Sequence, residues 1–148
     1  MNANDILYLT ADNLQLGKVL EKPVQVTGGF MHRMFKLVTE NGKYIIKLLN
    51  PNIMKRPTAM GNYKIADGIE KILKQHNIPA VYALEFNGTA MQEICGQYFY
   101  IFDWYDGKSL KNNEITASHC EQIGKTLAKI HNIDLKCEPF ARDEIHID

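Results

Sequence analysis

The sequence predicts an α+β fold, in which a five-stranded antiparallel sheet carries one covering helix and leads into a helical region. Three observations indicate this. Strand-forming runs joined by turns fill residues 24–49, apolar residues recur at helical spacing in 58–76, and strand-forming runs return in 81–102. The predicted order is therefore three strands, a helix, two more strands, a linker and a lone helix.

The first part of the sheet is predicted as a pair of connected hairpins. A short strand at residues 24–26 runs into the tight turn Thr27-Gly28-Gly29, and a second strand is expected at about 33–39. A third strand follows at 44–49. Between these two strands, Asn41-Gly42 predicts a type I′ turn, because both residues accept the positive φ that this turn demands.

The segments on either side of this hairpin are predicted from the residues that end helices and strands. A short helix or turn is expected near residues 11–16, and the prolines of Asn50-Pro51 and Arg56-Pro57 bracket a loop. The helix at 58–76 is then ended by Asn77 and Pro79.

One apolar stripe of this helix is expected to face the sheet. It consists of Ile65, Ile69, Ile72 and Leu73. Asp67 lies about 160° from the centre of the stripe and is therefore expected in solvent, whereas Glu70 lies about 100° away, on the flank.

The last third of the chain contains strand signals and one helix. Another hairpin is expected at residues 81–94 around Asn87-Gly88, and a last strand at 98–102, so the strand-forming runs number one more than the five strands of the predicted sheet. Thr116 or Ser118 can cap a helix that ends near Asn132. Its buried stripe is predicted to be Cys120, Ile123, Leu127 and Ile130. The residues after it show no periodicity.

Composition excludes several classes of function. The 148 residues amount to one domain, or one lobe of a larger protein, and 17 basic residues balance 17 acidic ones. This balance gives no electrostatic reason to expect nucleic acid or a membrane surface as a partner. There is no apolar run of about 20 residues and no signal peptide, so a cytoplasmic location is expected. The three cysteines are expected to be reduced thiols, and the five histidines have no metal-binding spacing.

Lys47 is the strongest functional candidate. It is the one charged residue in the apolar run Tyr-Ile-Ile-Lys-Leu-Leu, so it either faces water or is retained for an anion. Gly28 and Gly29 suggest a phosphate, because glycine lets backbone N–H groups close on one. Two simpler interpretations stay open: Lys47 as an outward lysine on a half-exposed strand, and the glycines as an ordinary hairpin turn.

Five segments occur in an order that points to one family. They are G-G-F-M-H-R-M-F-K-L (28–37), Y-I-I-K-L-L (44–49), H-N-I-P-A (76–80), Y-I-F-D-W-Y-D-G-K-S-L (100–110) and I-G-K-T-L-A-K-I-H (123–131). Together they resemble the nucleotide-binding lobe of the protein-kinase-like fold, and in detail the aminoglycoside phosphotransferase and choline kinase superfamily. The resemblance implies a nucleotide-binding lobe at residues 1–105 and the start of a helical lobe at 106–148.

The resemblance implies roles for individual residues. Gly28 and Gly29 would cover the ATP phosphates, and Lys47 would pair with the α- and β-phosphates. The Asp103 carbonyl would accept from the adenine amino group, and the Tyr105 N–H would donate to the ring. Mg²⁺ would be held by the larger lobe, and the acceptor would be a hydroxyl of an aminoglycoside- or choline-like small molecule.

The resemblance is imperfect at two positions. The helix carboxylate that holds the lysine aligns with Tyr63, so Glu70 is the better candidate for that role, against an alternative in which it is a solvated carboxylate. His32 stands where family members often have a small polar residue or asparagine.

The catalytic loop of the family has the pattern H-x-D-x-x-x-x-N. His146-Ile147-Asp148 follows His131 by only 15 residues and no asparagine comes after it, so we do not identify it as that loop. The chain is therefore expected to contain no catalytic or metal-binding residue and to be inactive alone. A stand-alone nucleotide- or protein-binding module without catalysis is the alternative. Self-association through the helix around Leu127 is also expected.

Overall fold

The structure, a computed structural model, describes residues 2–27 and 31–134. Its five strands form one antiparallel sheet, as predicted, and their order in the sheet is β1-β2-β3-β5-β4. The strands are β1 (Val24–Val26), β2 (Arg33–Thr39), β3 (Gly42–Leu48), β4 (Gln92–Ile94) and β5 (Gln97–Asp103). The helices are α1 (Ala3–Asn13), α2 (Pro51–Met54), α3 (Ala59–Gln75) and α4 (Ala117–His131), with a 3₁₀ turn at Asn112–Glu114.

The β2–β3 turn lies one residue earlier than predicted. Thr39 pairs with Gly42, so the turn residues are Glu40 and Asn41. Neither Asn41 nor Gly42 has a positive φ, and the prediction of a type I′ turn is wrong. A tertiary contact also acts on this turn, because the Asn41 side-chain amide donates to the Gln15 carbonyl at 3.3 Å.

The N-terminal helix is longer than the short element expected at residues 11–16. It runs from Ala3 to Asn13, and Asn2 and Asp5 form a capping box at its start. Leu7 and Ala11, one turn apart, are buried against one face of the sheet. That face is apolar and includes Leu37, Ile46, Leu48, Phe99 and Ile101.

The opposite face of the sheet packs against α2 and α3 in an unpredicted way. Its core consists of Leu49, Ala83 and Tyr100, packed by Tyr63, Met54 and other partly buried side chains. The predicted stripe Ile65–Ile69–Ile72 is absent from both described core clusters, so the expectation that it packs on the sheet is wrong. At about 100° per residue these isoleucines lie roughly 180–240° from Tyr63.

Asp67 is also placed differently from the prediction. It is half-buried, and the Tyr100 hydroxyl donates to its Oδ1 at 2.7 Å. The sheet presents a tyrosine hydroxyl here, so a polar flank of α3 matches it better than an apolar stripe would. The prediction that Asp67 faces solvent is therefore wrong.

The predicted hairpin at residues 81–94 is largely irregular. Its first half forms no strand, and Leu84 N–H donates to the Ile101 carbonyl at 2.8 Å. Phe86 and Thr89 form an isolated bridge around Asn87-Gly88. The side of β5 that faces away from β3 is thus hydrogen-bonded to β4 over one part of its length and to the segment around Leu84 over another.

The last helix has the predicted bounds, but its stripe of Cys120, Ile123, Leu127 and Ile130 is not buried as predicted. Thr116 caps α4, and the capping box uses His119, while Asn132 ends the helix. Its apolar stripe is uncovered: Ile123 is 61% and Leu127 48% exposed. No helix in the described part of the chain is long and apolar enough to cross a membrane. Cys95 and Cys120 are free thiols, and Cys137 lies outside the described residues.

Candidate functional site

Lys47 lies on the face of the sheet that packs against α3. In the strand register it pairs with Met34 of β2 and with Tyr100 of β5. The side chain is half-buried. Within residues 2–27 and 31–134, no carboxylate oxygen lies within 4.0 Å of the Lys47 Nζ atom, the limit for an ion pair. Lys47 is therefore a half-buried lysine without a contacting carboxylate in this region.

The two glycines of the turn predicted to act with Lys47 belong to the part of the chain that the structure does not describe. Gly28 and Gly29 lie outside the described residues, as do His146 and Asp148. The register of the flanking strands is defined, because Val26 pairs with Met34, which in turn pairs with Lys47.

Glu70, the predicted partner of Lys47, lies on the sheet-facing flank of α3 but forms no ion pair with the lysine. Burial raises the pKa of its carboxyl, and the neighbouring Asp67 adds to this. The Ala83 N–H and Lys47 lower that pKa in part. Glu70 is thus near enough to Lys47 for electrostatic interaction, without the contact that the resemblance implies.

Asp67 and Tyr100 form a hydrogen-bonded pair that sequence reasoning did not find. Burial, followed by the bond to Asp67, raises the pKa of the Tyr100 phenol strongly, so the hydroxyl stays protonated and donates. Burial also raises the pKa of Asp67, with a smaller contribution from Glu85, whereas the bond from Tyr100 opposes this shift. The position of Tyr100 could have indicated this pair. Tyr100 lies on the strand next to that of Lys47, and the two residues are on the same face of the sheet.

His32 makes two hydrogen bonds that connect separate elements. Asn50 N–H donates to His32 Nδ1 at 3.1 Å, and His32 Nε2 lies 3.1 Å from the Tyr63 hydroxyl. Because Nδ1 accepts, the neutral ring carries its proton on Nε2 and donates it to Tyr63. Burial, and then the charge of Lys47, lower the pKa of His32, which favours this neutral form.

The predicted hinge follows directly from β5. Asp103 is the last residue of this strand and pairs with Tyr44, while Trp104 N–H donates to the Lys43 carbonyl at 3.0 Å. The Lys36 ammonium lies 4.4 Å from the centroid of the Trp104 ring, a cation–π contact. The Tyr105 side chain is 65% exposed.

An apolar patch separates Lys47 from this hinge. Ile45 pairs with Phe102, between the pairs Lys47–Tyr100 and Tyr44–Asp103. Ile45 and Lys47 share one face, because alternate residues of a strand point to the same side. Lys47 and Tyr44 are three residues apart, a distance of about 10 Å along β3.

One cavity of about 260 Å³ lies between α2 and α3. Its lining includes Ile53, Arg56, Ala59, Tyr63 and Ala66, but not Lys47. In the described parts of the chain, no group of three or more His, Cys, Asp or Glu side chains is arranged to hold a metal ion.

Comparison with known proteins gives one family match. The model of the phosphotransferase enzyme family matches residues 23–146. No curated protein sequence matches the chain.

Two solved structures are similar in fold. A spectinomycin phosphotransferase, APH(9)-Ia, in complex with ADP and spectinomycin, has a TM-score of 0.70 and 16% identity, with 91% of this chain and 39% of that chain covered. A candidate aminoglycoside phosphotransferase from Ralstonia eutropha JMP134 has a TM-score of 0.57 and 18% identity, with 88% and 39% covered. At these identities the likeness is one of fold. The chain spans 39% of the length of each of these two proteins.

Proposed function

Because this chain belongs to the phosphotransferase enzyme family, we propose that it forms the nucleotide-binding lobe of an enzyme that moves the γ-phosphoryl group of ATP to a hydroxyl of a small molecule. The observation that carries the proposal is Lys47, a half-buried lysine with no ion pair in the described residues. Burying a cation without a partner is costly, so such a site is suited to an anionic ligand.

The nucleotide lies along β3 and β5 in this proposal. Lys47 holds the α- and β-phosphates through charge-assisted hydrogen bonds. The patch of Ile45 and Phe102 contacts the base, and its length of about 10 Å between Lys47 and the hinge suits a nucleoside. The Asp103 carbonyl and Tyr105 N–H bind the adenine edge.

The backbone of Gly28 and Gly29 covers the phosphates in the same proposal, and Glu70 is the carboxylate that orients Lys47. An electrostatic interaction between Glu70 and Lys47 supports the second assignment. Phosphoryl transfer depends almost entirely on positioning and charge stabilisation, so holding the phosphates is this lobe's contribution.

The described residues do not fit a Mg²⁺ site, since they contain no cluster of three potential ligands. In this proposal the described residues act on the nucleotide without holding a metal. The sequence also contains no H-x-D-x-x-x-x-N pattern. We propose that the metal ligands, the catalytic aspartate and the acceptor site belong to a larger lobe, and that this chain alone gives no turnover.

The acceptor proposed here is an aminoglycoside- or choline-like hydroxyl compound. The similar structure with ADP and spectinomycin supports a nucleotide and a small-molecule acceptor. We further propose a cytoplasmic location.

Titration calorimetry with ATP tests the proposal. Lys47→Ala should weaken binding by roughly 1.5–3 kcal/mol, the value of a hydrogen bond to a charged group. Lys129→Ala is the matched control, because it removes the same charge from the exposed surface of α4. Equal affinity of Lys47→Ala and Lys129→Ala for ATP would contradict the assignment of Lys47.

A further inference from the structure

The geometry points to His32 and Tyr63 as a positioning pair that fixes helix α3, and with it Glu70, relative to Lys47. This inference rests on the proposed function, since Lys47 is the phosphate-binding residue there. Neither His32 nor Tyr63 touches the nucleotide in this proposal, and both act through the position of α3.

His32 joins three elements through one imidazole ring. The residue lies directly before β2, which begins at Arg33. Its Nδ1 accepts from the N–H of Asn50, the residue that caps α2, and its Nε2 lies 3.1 Å from the Tyr63 hydroxyl on α3. A single side chain therefore connects the start of β2, the chain just after β3, and α3.

A second connection between α3 and the sheet lies one helical turn away. The Tyr63 and Tyr100 rings are in contact, with centroids 6.2 Å apart, and the Tyr100 hydroxyl donates to Asp67 at 2.7 Å. Tyr63 and Asp67 are four residues apart on α3, so each anchors one turn of the helix. Two anchors on successive turns restrain rotation of α3 about its axis.

The restraint on rotation determines where Glu70 lies. At about 100° per residue, Glu70 is roughly 20° from Tyr63 around the helix, and Asp67 roughly 40° on the other side. Glu70 therefore lies on the anchored flank. Lys47 is near enough to influence the pKa values of both Glu70 and His32.

The pair functions only while His32 is neutral. A protonated ring has no acceptor for the Asn50 N–H and places a second positive charge near Lys47. The titratable groups that face His32 are Lys47 from β3 and Tyr63 from α3. Both burial and Lys47 favour the neutral form.

The test compares ligands with and without phosphates. We expect Tyr63→Phe to weaken ADP binding by roughly three- to tenfold, the range for one lost hydrogen bond, and to leave adenosine binding unchanged. The reason is that a displaced Glu70 alters only the orientation of Lys47, which contacts the phosphates and not the nucleoside in this proposal. A general loosening of the lobe would weaken both ligands equally. Tyr8→Phe removes a hydroxyl from α1, on the opposite face of the sheet, and is the matched control.

Two further variants identify the bond involved. His32→Asn keeps an acceptor for the Asn50 N–H but cannot reach Tyr63, so it should weaken ADP binding as Tyr63→Phe does. The double variant should bind ADP no more weakly than either single variant, because each single substitution removes the same hydrogen bond.

The outcomes separate this inference from the proposed function. Loss of ADP affinity in Lys47→Ala, with wild-type affinity in both Tyr63→Phe and His32→Asn, would overturn the positioning pair alone. Equal loss of ADP and adenosine affinity in Tyr63→Phe would overturn it as well. Unchanged ADP affinity in Lys47→Ala would overturn the proposed function first.

Discussion

The Tyr100 hydroxyl donates a hydrogen bond of 2.7 Å to Asp67 Oδ1, and this bond joins the centre of the sheet to helix α3. Tyr100 is 6% exposed and Asp67 half-buried, so neither group has free access to water. A hydrogen bond in such a site matters mainly because losing one partner leaves the other unsatisfied.

Removing the Tyr100 hydroxyl should destabilise the protein. We expect Tyr100→Phe to lower the free energy of unfolding by roughly 1–3 kcal/mol, because the Asp67 carboxylate loses its donor. Asp67→Asn keeps an acceptor oxygen and removes a charge that burial disfavours, so it should cost less than Tyr100→Phe. Urea denaturation at pH 7 measures both. Equal stability of Tyr100→Phe and wild type would show that water replaces the bond.

His32 should make stability depend on pH in a defined direction. Its pKa is lowered from 6.5 in the folded protein, so as pH falls below 6.5 the unfolded chain takes up this proton first. The free energy of unfolding therefore decreases from pH 6.5 down to the folded pKa, and above 6.5 His32 has no effect.

His32→Asn isolates this effect. The raised pKa values of Asp67 and Glu70 act in the opposite direction, stabilising the folded state as pH falls, and they are common to both proteins. The difference in unfolding free energy between wild type and His32→Asn should thus shrink below pH 6.5. A difference independent of pH from 5 to 8, a range of about three units around the ordinary histidine pKa, would contradict the neutral His32 ring.

Gly17 supports the β2–β3 turn and should not tolerate a side chain. It has a φ of +88°, and an added Cβ would lie 2.9 Å from Asn41 Cγ. We expect Gly17→Ala to cost roughly 1–3 kcal/mol of stability, from the backbone strain and the close contact.

Gly61→Ala is the matched control, because Gly61 is in α3 with nothing within 4 Å of an added Cβ. Since alanine favours a helix, this change should stabilise by roughly 0.5–1 kcal/mol. Thermal unfolding of the two variants compares them directly. Equal melting temperatures of Gly17→Ala and Gly61→Ala would mean that the segment before β1 moves away from Asn41 without cost in stability.

Local sequence signals predicted most strands and helices. The positions of β1, β2, α3 and α4 agree with expectation to within about a residue, because alternation, helical periodicity and caps act over short stretches of chain. The prediction of the turn type at Asn41 failed at a position where contacts distant in sequence are made. Asn41 contacts Gln15, which lies 26 residues away in sequence, and local turn preferences do not report such a contact.

The rotation of α3 could not be predicted from its own periodicity. The helix has an apolar stripe and a polar flank with Tyr63, Asp67 and Glu70, and the sequence favours the stripe as the buried side. The choice depends on what the sheet presents, and Tyr100 presents a hydroxyl. Lys47 is a candidate that the sequence itself offers, because a charge in an apolar strand is visible there, whereas the His32–Tyr63 contact joins residues 31 apart.

The exposed stripe of α4 should cause self-association. Ile123 and Leu127 are 61% and 48% exposed, and Ile115, just before the helix, is 51% exposed. Burying one such side chain is worth roughly 1.5–3 kcal/mol, and a contiguous apolar stripe is typical of an interface. A second copy of the chain offers an equal stripe, so we expect dimers or larger species at micromolar concentration.

Leu127→Lys should abolish this association, because it places a charge at the centre of the apolar stripe, and that charge would have to be desolvated in the interface. Gln122→Lys adds the same charge roughly 120° from the stripe centre and should leave the association intact. Light scattering gives the mass of each variant. A wild-type monomer would show that the stripe does not bind a second copy. Dimers that persist in Leu127→Lys would place the interface elsewhere, and the free energy of association would then have to come from another surface.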